Sequence, residues 1–553
     1  MSQAATEPAP KLERGLGLTD ATTIVMGSMI GSGIFITSAE SSRLVGAPGW
    51  LLVAWALAGL MTLTGALCCA ELAAMMPHAG GQYVFLREAY GRPVGFLFGW
   101  ATFLVVQTGT IAAVSVAFAR FLGVFVPEID ATHFLLGPYQ FGGYALTLSR
   151  QQAVALALVV GLTATNMRGL RTGAWIQNTF TFTKTAALFG LIVAGLTLGV
   201  NRESAAWTSS WWSPSANGWD PSKAQQGLTL TGGLALAVLL GKAMIGPLFS
   251  QSAWNNVTFT GGETRDPGKT LPRALMIGCG SVVALYLLAN VAYVVTLPLS
   301  GIQNAPSDRV GTALMEAVLG ESGTRVMALA ILISTFGCVN GLCLAGARVY
   351  YAMAREGLFF ARAATVNRSH VPAAALVAQG VWSAILVLPV TVGKAADGSV
   401  KYGNLYSDLL EYIIPVDVTF YALMVGAVVL LRFKRPEMER PYRTWGYPLP
   451  VLIYLALAAL LVVDFVLLAP ATSGVGFLIV LAGIPRSTWC GPGRGRRPPR
   501  PKIDAPRASR SARNRSCRGD PTYRRHFPRR LRDFSSCLDS GRASPRGCPS
   551  ASS

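Results

Sequence analysis

The stretch MGSMIGSGIFITS, Met26–Ser38, decides how this chain is read. It lies inside an apolar segment long enough to cross a membrane, yet it carries three glycines and three serines. Each Gly in a helix interior costs about 1 kcal/mol relative to Ala. A helix whose only task is to span lipid gains nothing from such a cluster. The spacing of Gly27 and Gly31 also suits close helix packing, so the stretch by itself leaves two readings open. It is not a dinucleotide fingerprint, because Ile36 stands where the third Gly belongs and no strand precedes it.

A second stretch changes the balance. Residues 239–259 read LLGKAMIGPLFSQSAWNNVTF, with Gly246-Pro247 in mid-helix and Ser250, Gln251, Ser252, Asn255 and Asn256 behind it. Pro removes a backbone N–H and clashes with the preceding turn. Breaking a helix frees N–H and C=O groups that lipid cannot satisfy, so they must line a cavity. The N-terminal end of a half-helix offers N–H groups and partial positive charge to a carboxylate. A C-terminal end offers carbonyls to an ammonium group. Both together suit a zwitterionic amino acid.

Composition sets the frame for these breaks. The 553 residues are 52% hydrophobic and 13% charged, against about 25% charged in soluble domains. Apolar runs of the length a bilayer needs predict twelve spans at 20–44, 48–76, 95–125, 151–167, 174–200, 228–260, 273–297, 323–352, 372–391, 405–433, 447–469 and 471–485. The two breaks then fall in the first and sixth spans, the first helices of two five-span halves. Paired interruptions of that kind point to an inverted-repeat transporter with its site at the breaks. The expected fold is an all-α integral membrane protein with discontinuous first and sixth helices. The expected organisation is a segment 1–19, a transporter domain 20–485 and a tail 486–553.

The first 19 residues are polar and lack an apolar core ending in a cleavage site, so the first span is expected to do the targeting. Lys and Arg concentrate in alternate loops, among them Arg87, Arg168, Arg265, Arg355 and Arg432. The positive-inside rule then puts both termini in the cytoplasm of a cell membrane. The net charge of +20 is no sign of nucleic acid. From Arg486 onward the chain holds eighteen Lys and Arg against four Asp and Glu, which leaves +6 on all the rest. That tail has no periodicity. Its Arg, Pro, Ser, Gly, Ala and Cys are what GC-rich DNA encodes out of frame, and the other reading is a basic tail on anionic lipid.

The stretches IGSGIFIT at 30–37 and AELAAMMPHAGGQYVFLREAYGRPVGFLFGW at 70–100 resemble the amino acid–polyamine–organocation superfamily. QNTFTFTKTAALFGL, GPLFSQSAWNN, ISTFGCVNGLCLAGARVYYAMAREGLFF and RPYRTWGYPLP are similar to its L-type amino acid transporter branch. The resemblance runs from about Gly15 to Pro485. It implies the leucine-transporter-like five-plus-five inverted repeat with two extra helices, and alternating access. By it, Ser32 and Gly33 would donate to the substrate carboxylate. The carbonyls of Ile30, Phe249 and Ser252 would face its ammonium, the Phe249 ring would close over it, and Asn255 would line the pocket. The branch usually has a bulky residue, then Gly or Asp, then Gly before the Trp. Here Gln251, Ser252 and Ala253 stand there, which leaves side-chain selectivity open. No acidic residue occurs in either break, which speaks against a cationic substrate.

Lys184 lies well inside the fifth span, where a Lys costs about 2.5–3.5 kcal/mol. About 15 Å of helix separates it from the span's inner end, too far to snorkel. In the branch a lysine here takes the place of a sodium ion. It would hold the first span, near Gly27, against the eighth, near Ser334 and Thr335, and either replace the ion or carry a proton. Glu71 would relay protons or anchor the GGQYVFLREAYG segment. Asp417 and Asp464 are functional charges or snorkel to an interface, and Lys242 has no evident role. The tryptophans of AAWTSSWWSPSANGW (205–219) read as an interfacial belt. Eukaryotic branch members bond an ancillary glycoprotein through a Cys after the third span, and 126–150 hold none. The expected partners are therefore an amino acid and the bilayer, with no disulfide-linked subunit, nucleic acid, metal or cofactor. A polyamine or cationic amino acid antiporter is the alternative. A membrane enzyme would want a grouped constellation, and the four histidines are scattered. No phosphate-binding loop occurs.

Overall fold

The computed structural model describes residues 15–484 apart from 79, 169, 226–227, 368–370, 395–399, 469 and 471. The segment 1–14 and the basic tail 486–553 lie outside the described residues. Among the described residues eight helices are long and apolar enough to cross a membrane, or nine when one bent pair counts as a single span. That pair is Leu18–Met29 and Gly33–Val45, bent by 42°, and is the expected first span. The expected numbers are kept for the others: second Pro48–Met75, third Arg92–Leu122, fifth Leu170–Thr197, seventh Pro267–Thr296, eighth Val310–Arg355, tenth Leu405–Lys434 and eleventh Leu449–Leu468. The sixth runs from Gly232 through a break at Gln251–Ala253 to a 3-10 stretch, Trp254–Glu263.

The remaining three expected spans are shorter helices, Arg150–Asn166, Ala373–Leu386 and Ser473–Leu481. The ninth departs most from expectation. Its helix ends at Leu386, and residues 389–394 form a strand. The cause is local chemistry: Pro389 cannot donate to a continuing helix, and Val390, Thr391 and Val392 are β-branched. This strand joins a small antiparallel sheet of β1 (Phe134–Phe141), β2 (Tyr144–Ser149), β3 (Pro389–Lys394) and β4 (Val400–Tyr402), in that order. Gly142, at φ +57°, turns β1 into β2. Tyr144 pairs with Thr391 and Val392 with Tyr402. The segment 126–150 is therefore tied to the loop before the tenth span, an addition to the helical body that helix-period reasoning does not supply.

The polar contacts divide the loops into two faces. On the sheet face, Arg43 of the first span bonds Asp308 at 2.9 Å, and Arg120 of the third bonds Asn404 at 2.7 Å. Trp219 donates to Leu44 O at 3.0 Å and Trp50 to Trp212 O at 3.2 Å. The tryptophan run thus folds back over the end of the first span. On the basic face, Arg348 meets Glu263 at 3.3 Å, and Arg87 and Tyr83 both bond Glu356. The backbone N–H groups of Gly15 and Leu16 donate to Glu263 O, at 3.0 and 3.1 Å. These contacts bring together the basic loops around Arg87, Arg265 and Arg355.

Glu71 does not hold the GGQYVFLREAYG segment. It is 1% exposed and takes Arg432 at 2.7 Å, the Thr444 N–H at 2.7 Å and the Thr444 hydroxyl at 2.8 Å. It therefore pins the RPYRTW turn to the second span. Removing one partner of a buried pair strands the other. Glu71→Ala should destabilise the protein by about 3 kcal/mol, read as a lowered Tm in detergent. An unchanged Tm would show that the turn is held elsewhere.

Candidate substrate site

The first break is a local event in a short run of sequence. The helix ends at Met29, Ile30 is extended at φ −73° and ψ 99°, and a new helix begins at Gly33. Two tyrosines of the seventh span hold its edges. The Tyr286 hydroxyl donates to Met29 O at 3.0 Å, and that of Tyr293 to Ile34 O at 3.1 Å. The first N–H groups of a helix have no partner inside it. Those of Gly33 and Ile34 donate to nothing among the described residues, and the Ile30 carbonyl accepts nothing.

The second break begins where the helix Ile245–Ser250 stops. Gln251 and Ser252 lead to Ala253, which lies in the left-handed region at φ +64°. Gln251 is fixed from the second span, giving its side-chain amide to Trp55 O at 3.3 Å and taking Thr62 Oγ1 on its carbonyl at 3.4 Å. The Ser252 carbonyl accepts nothing among the described residues. That of Phe249 already accepts the Ser252 N–H at 3.2 Å.

The two half-helices meet directly and run antiparallel. Gly33 faces Ser250, Thr37 faces Gly246, and Ser41 Oγ donates to Ala243 O at 2.8 Å. A Cβ on Gly33 would fall 2.1 Å from Ser250 Oγ, and one on Gly246 2.4 Å from Thr37 Cβ. Small residues one turn apart on both partners allow this approach. The missing side chain of Gly33 is therefore the seat of Ser250. The helix-packing reading of Gly27 and Gly31 applies one turn further on, at Gly33.

A cavity lies against both breaks, walled by Ser32, Gly33, Phe249, Ser252, Asn255 and Asp417. Ile30 is buried behind it, with its neighbours Met29 and Gly31 in the wall. The third span contributes Thr102, Val106 and Gln107 around a π-helical turn, Thr102–Val106. Thr108 Oγ1 caps that turn by bonding Phe103 O at 2.8 Å; such bulges often mark functional sites. Tyr406 of the tenth span backs two residues of this wall. Its hydroxyl sits 3.1 Å from Ser32 Oγ, and its ring meets that of Phe249 edge-on at 6.0 Å.

Asn255 lines the wall with both polar ends engaged. It donates to Gln82 Oε1 at 2.6 Å and accepts the Tyr421 hydroxyl at 3.0 Å. Tyr421 also stacks on Trp254, with ring centres 4.8 Å apart. Asp417, expected as a functional charge or one that reaches an interface, was not placed at this site by the sequence. It is 7% exposed, and one carboxylate oxygen takes the Ser252 hydroxyl at 2.6 Å. Neither break contains an acid, as the sequence says, yet the tenth span delivers one to the second break. Asp464 lies outside this wall, beside Gly241. Lys242 gains a role, pairing with Glu411 at 3.0 Å and Gln225 at 2.6 Å.

Lys184 is 1% exposed and its ammonium donates to the Gly27 carbonyl. The expected partners on the eighth span are not joined to it. Thr335 turns its hydroxyl to its own helix, onto Ile331 O at 2.8 Å, as a mid-helix Thr readily does. Ser334 Oγ is buried without a hydrogen bond.

A bundle of membrane-length helices with two interruptions meeting at one enclosed cavity is the build of a membrane transport protein, not of an enzyme. The chain belongs to the amino acid permease family, whose model matches residues 16–484, and it is an amino acid transporter. It is 28% identical over 464 residues to the human b(0,+)-type amino acid transporter 1, covering 84% of this chain and 83% of that one. It is 29% identical to the human large neutral amino acids transporter small subunit 2, covering 86% and 80%. The mouse Asc-type amino acid transporter 1 is 30% identical, with the same shares covered.

The Gly33–Ser250 contact makes a double variant informative. Gly33→Ala should cut substrate binding at least tenfold, because the added Cβ pushes the half-helices apart. Ser250→Gly in the same chain should restore most of it. Ligand-induced thermal stabilisation reads both, and failure of the second change to rescue would detach this contact from the site.

Proposed function

We propose that this permease carries L-amino acids, neutral ones among them, across the cell membrane by alternating access and without sodium. The observation that carries this reading is the set of unpaired backbone groups around one cavity. The N–H groups of Gly33 and Ile34 stand at a helix N-terminus, and the carbonyls of Ile30 and Ser252 stand free. A helix N-terminus presents roughly half a positive charge, so the α-carboxylate belongs there, beside the Ser32 hydroxyl. The α-ammonium belongs at the Ile30 and Ser252 carbonyls, with Phe249 supplying an apolar lid. A polyamine has no carboxylate and would leave the N–H groups unmatched, so an amino acid fits better.

Contact of Tyr406 with Ser32 and Phe249 implies that passage requires the half-helices to move against the tenth span. The sheet face is read as the outside and the arginine-rich face as the cytoplasm, with both termini there. Twelve spans, the last short, in two inverted halves of five plus a final pair fit the placement of the breaks. The segment 126–150 pairs with this chain's own β3, which supports a transporter working without a disulfide-linked subunit. Exchange and uniport both suit such a site.

Lys184 makes sodium unnecessary in this reading. Its ammonium already supplies a positive charge to the Gly27 carbonyl, where a cation would otherwise bridge the first and fifth spans. Uptake of radiolabelled L-leucine, L-alanine and L-serine into proteoliposomes, with and without amino acid inside, tests the function. Uptake should be equal in sodium and choline media. Lys184→Ala should lower it at least tenfold while part of the substrate binding survives. A sodium-dependent wild type, or a fully active Lys184→Ala, would overturn the ion-replacing role.

A further inference from the structure

The carboxylate of Asp417 is the one charged group in the cavity wall, and the site as derived so far gives it no task. It is 7% exposed inside a membrane-spanning helix, where an acid without a partner is costly and seldom idle. One of its oxygens takes the Ser252 hydroxyl. The other has no hydrogen bond among the described residues, although Asp417 borders open space.

Among the described residues no cation answers it. Lys184 is committed to Gly27. Lys242 pairs with Glu411, Arg120 with Asp308 and Asn404, and Arg432 with Glu71. None of these lines the cavity. The backbone of a zwitterionic substrate is already matched by the N–H and carbonyl groups of the two breaks. The α-ammonium is matched by the Ile30 and Ser252 carbonyls, so a neutral amino acid brings no second cation to the free oxygen of Asp417.

Position along the tenth span says which part of a substrate the acid meets. Tyr406 touches Ser32, at the carboxylate end of the site. Asp417 lies about three turns, or about 16 Å, further along the same helix. There it meets Ser252, and beside it are Tyr421 and Asn255. The acid thus enters the cavity about three turns along the helix from the Ser32 contact, and with carboxylate and α-ammonium already matched, the substrate's side chain is the group left to meet it. The neighbouring groups hold it in place. Ser252 fixes one oxygen, while Tyr421 and Asn255 are spent on each other and do not neutralise it.

We propose that Asp417 selects the substrate's side chain by pairing with a second cationic group, the ammonium or guanidinium of a basic amino acid. This rests on the amino acid site proposed above and adds the side-chain class. Ser252 is then a positioning residue at the place where Gly or Asp is usual, its hydroxyl serving the acid while its carbonyl serves the substrate backbone. The pair forms in a low-dielectric pocket, so it discriminates strongly between substrates with and without the charge.

The test is proteoliposome uptake of radiolabelled L-ornithine, L-lysine and L-arginine beside L-leucine and L-serine. In the wild type the basic amino acids should be taken up and should compete with leucine. Asp417→Asn should reduce kcat/KM for lysine and ornithine at least tenfold more than for leucine, and Asp417→Glu should recover part of that difference. Ser252→Ala should shift the same ratio in the same direction by a smaller factor. Leucine uptake with no competition from basic amino acids would overturn the proposal while leaving the amino acid site intact. So would an Asp417→Asn variant that loses lysine and leucine equally, or whose main defect is a lost response to an imposed pH gradient, the mark of a proton carrier. No uptake of any amino acid would overturn both this proposal and the site on which it rests.

Discussion

Two half-helices lie against each other with no room for a side chain at Gly33 or Gly246, and the rest of the site is arranged around that contact. A broken helix in lipid is tolerable only if its freed backbone groups turn toward protein or a cavity. Here the breaks are brought side by side, so one enclosure serves both. The close approach does this, because the Gly33–Ser250 crossing puts the start of one half-helix beside the end of the other. Had either position carried a larger residue, the two sets of unpaired groups would face separate spaces.

Around this pair the anchoring is unequal. The second half of the first span is held by the small-residue stripe and by Tyr293 on Ile34. The first half is held by Tyr286 at Met29 and by Lys184 at Gly27. The second break leans on the second span through Gln251, and on the tenth through Asp417 and Tyr421. The tenth span therefore touches both ends of the site, at Tyr406 and at Asp417. A displacement of that one helix is felt at the carboxylate end, the lid and the side-chain end together.

What could be read from the sequence follows from the range of each signal. The breaks were visible because Gly, Pro and a sudden run of Ser and Asn act on the chain where they stand. Lys184 was visible because a charge deep in an apolar run is expensive wherever its partner is, and its contact with the Gly27 carbonyl was among those expected. Its contacts with the eighth span were not foreseeable, since Thr335 had a carbonyl of its own helix to satisfy it. Asp417 stayed hidden for the opposite reason. Its partner is 165 residues away, and no local pattern tells a cavity-facing acid from one that reaches an interface. Gly33 stood out as a donor to the substrate carboxylate, whereas the need for its bare backbone, to seat Ser250, comes from a residue more than two hundred positions away. The sheet was missed because helix length was counted through Leu386 into a β-branched run that had other strands to join.

Ala253 gives the second break a character of its own. It sits at φ +64°, a conformation that costs a residue with a Cβ about 1–2 kcal/mol. Ala is also the residue that gains most from a regular helix. Both preferences oppose the kink, so the local sequence pulls Gln251–Ala253 toward a continuous helix. What opposes it is external: the Tyr421 hydroxyl accepting the Ala253 N–H at 3.3 Å, and Asp417 holding Ser252. The kink thus runs against its local sequence and is kept bent by a neighbouring helix. A glycine there would make the bend indifferent to its surroundings, whereas alanine makes the shape of the sixth span report where the tenth span is.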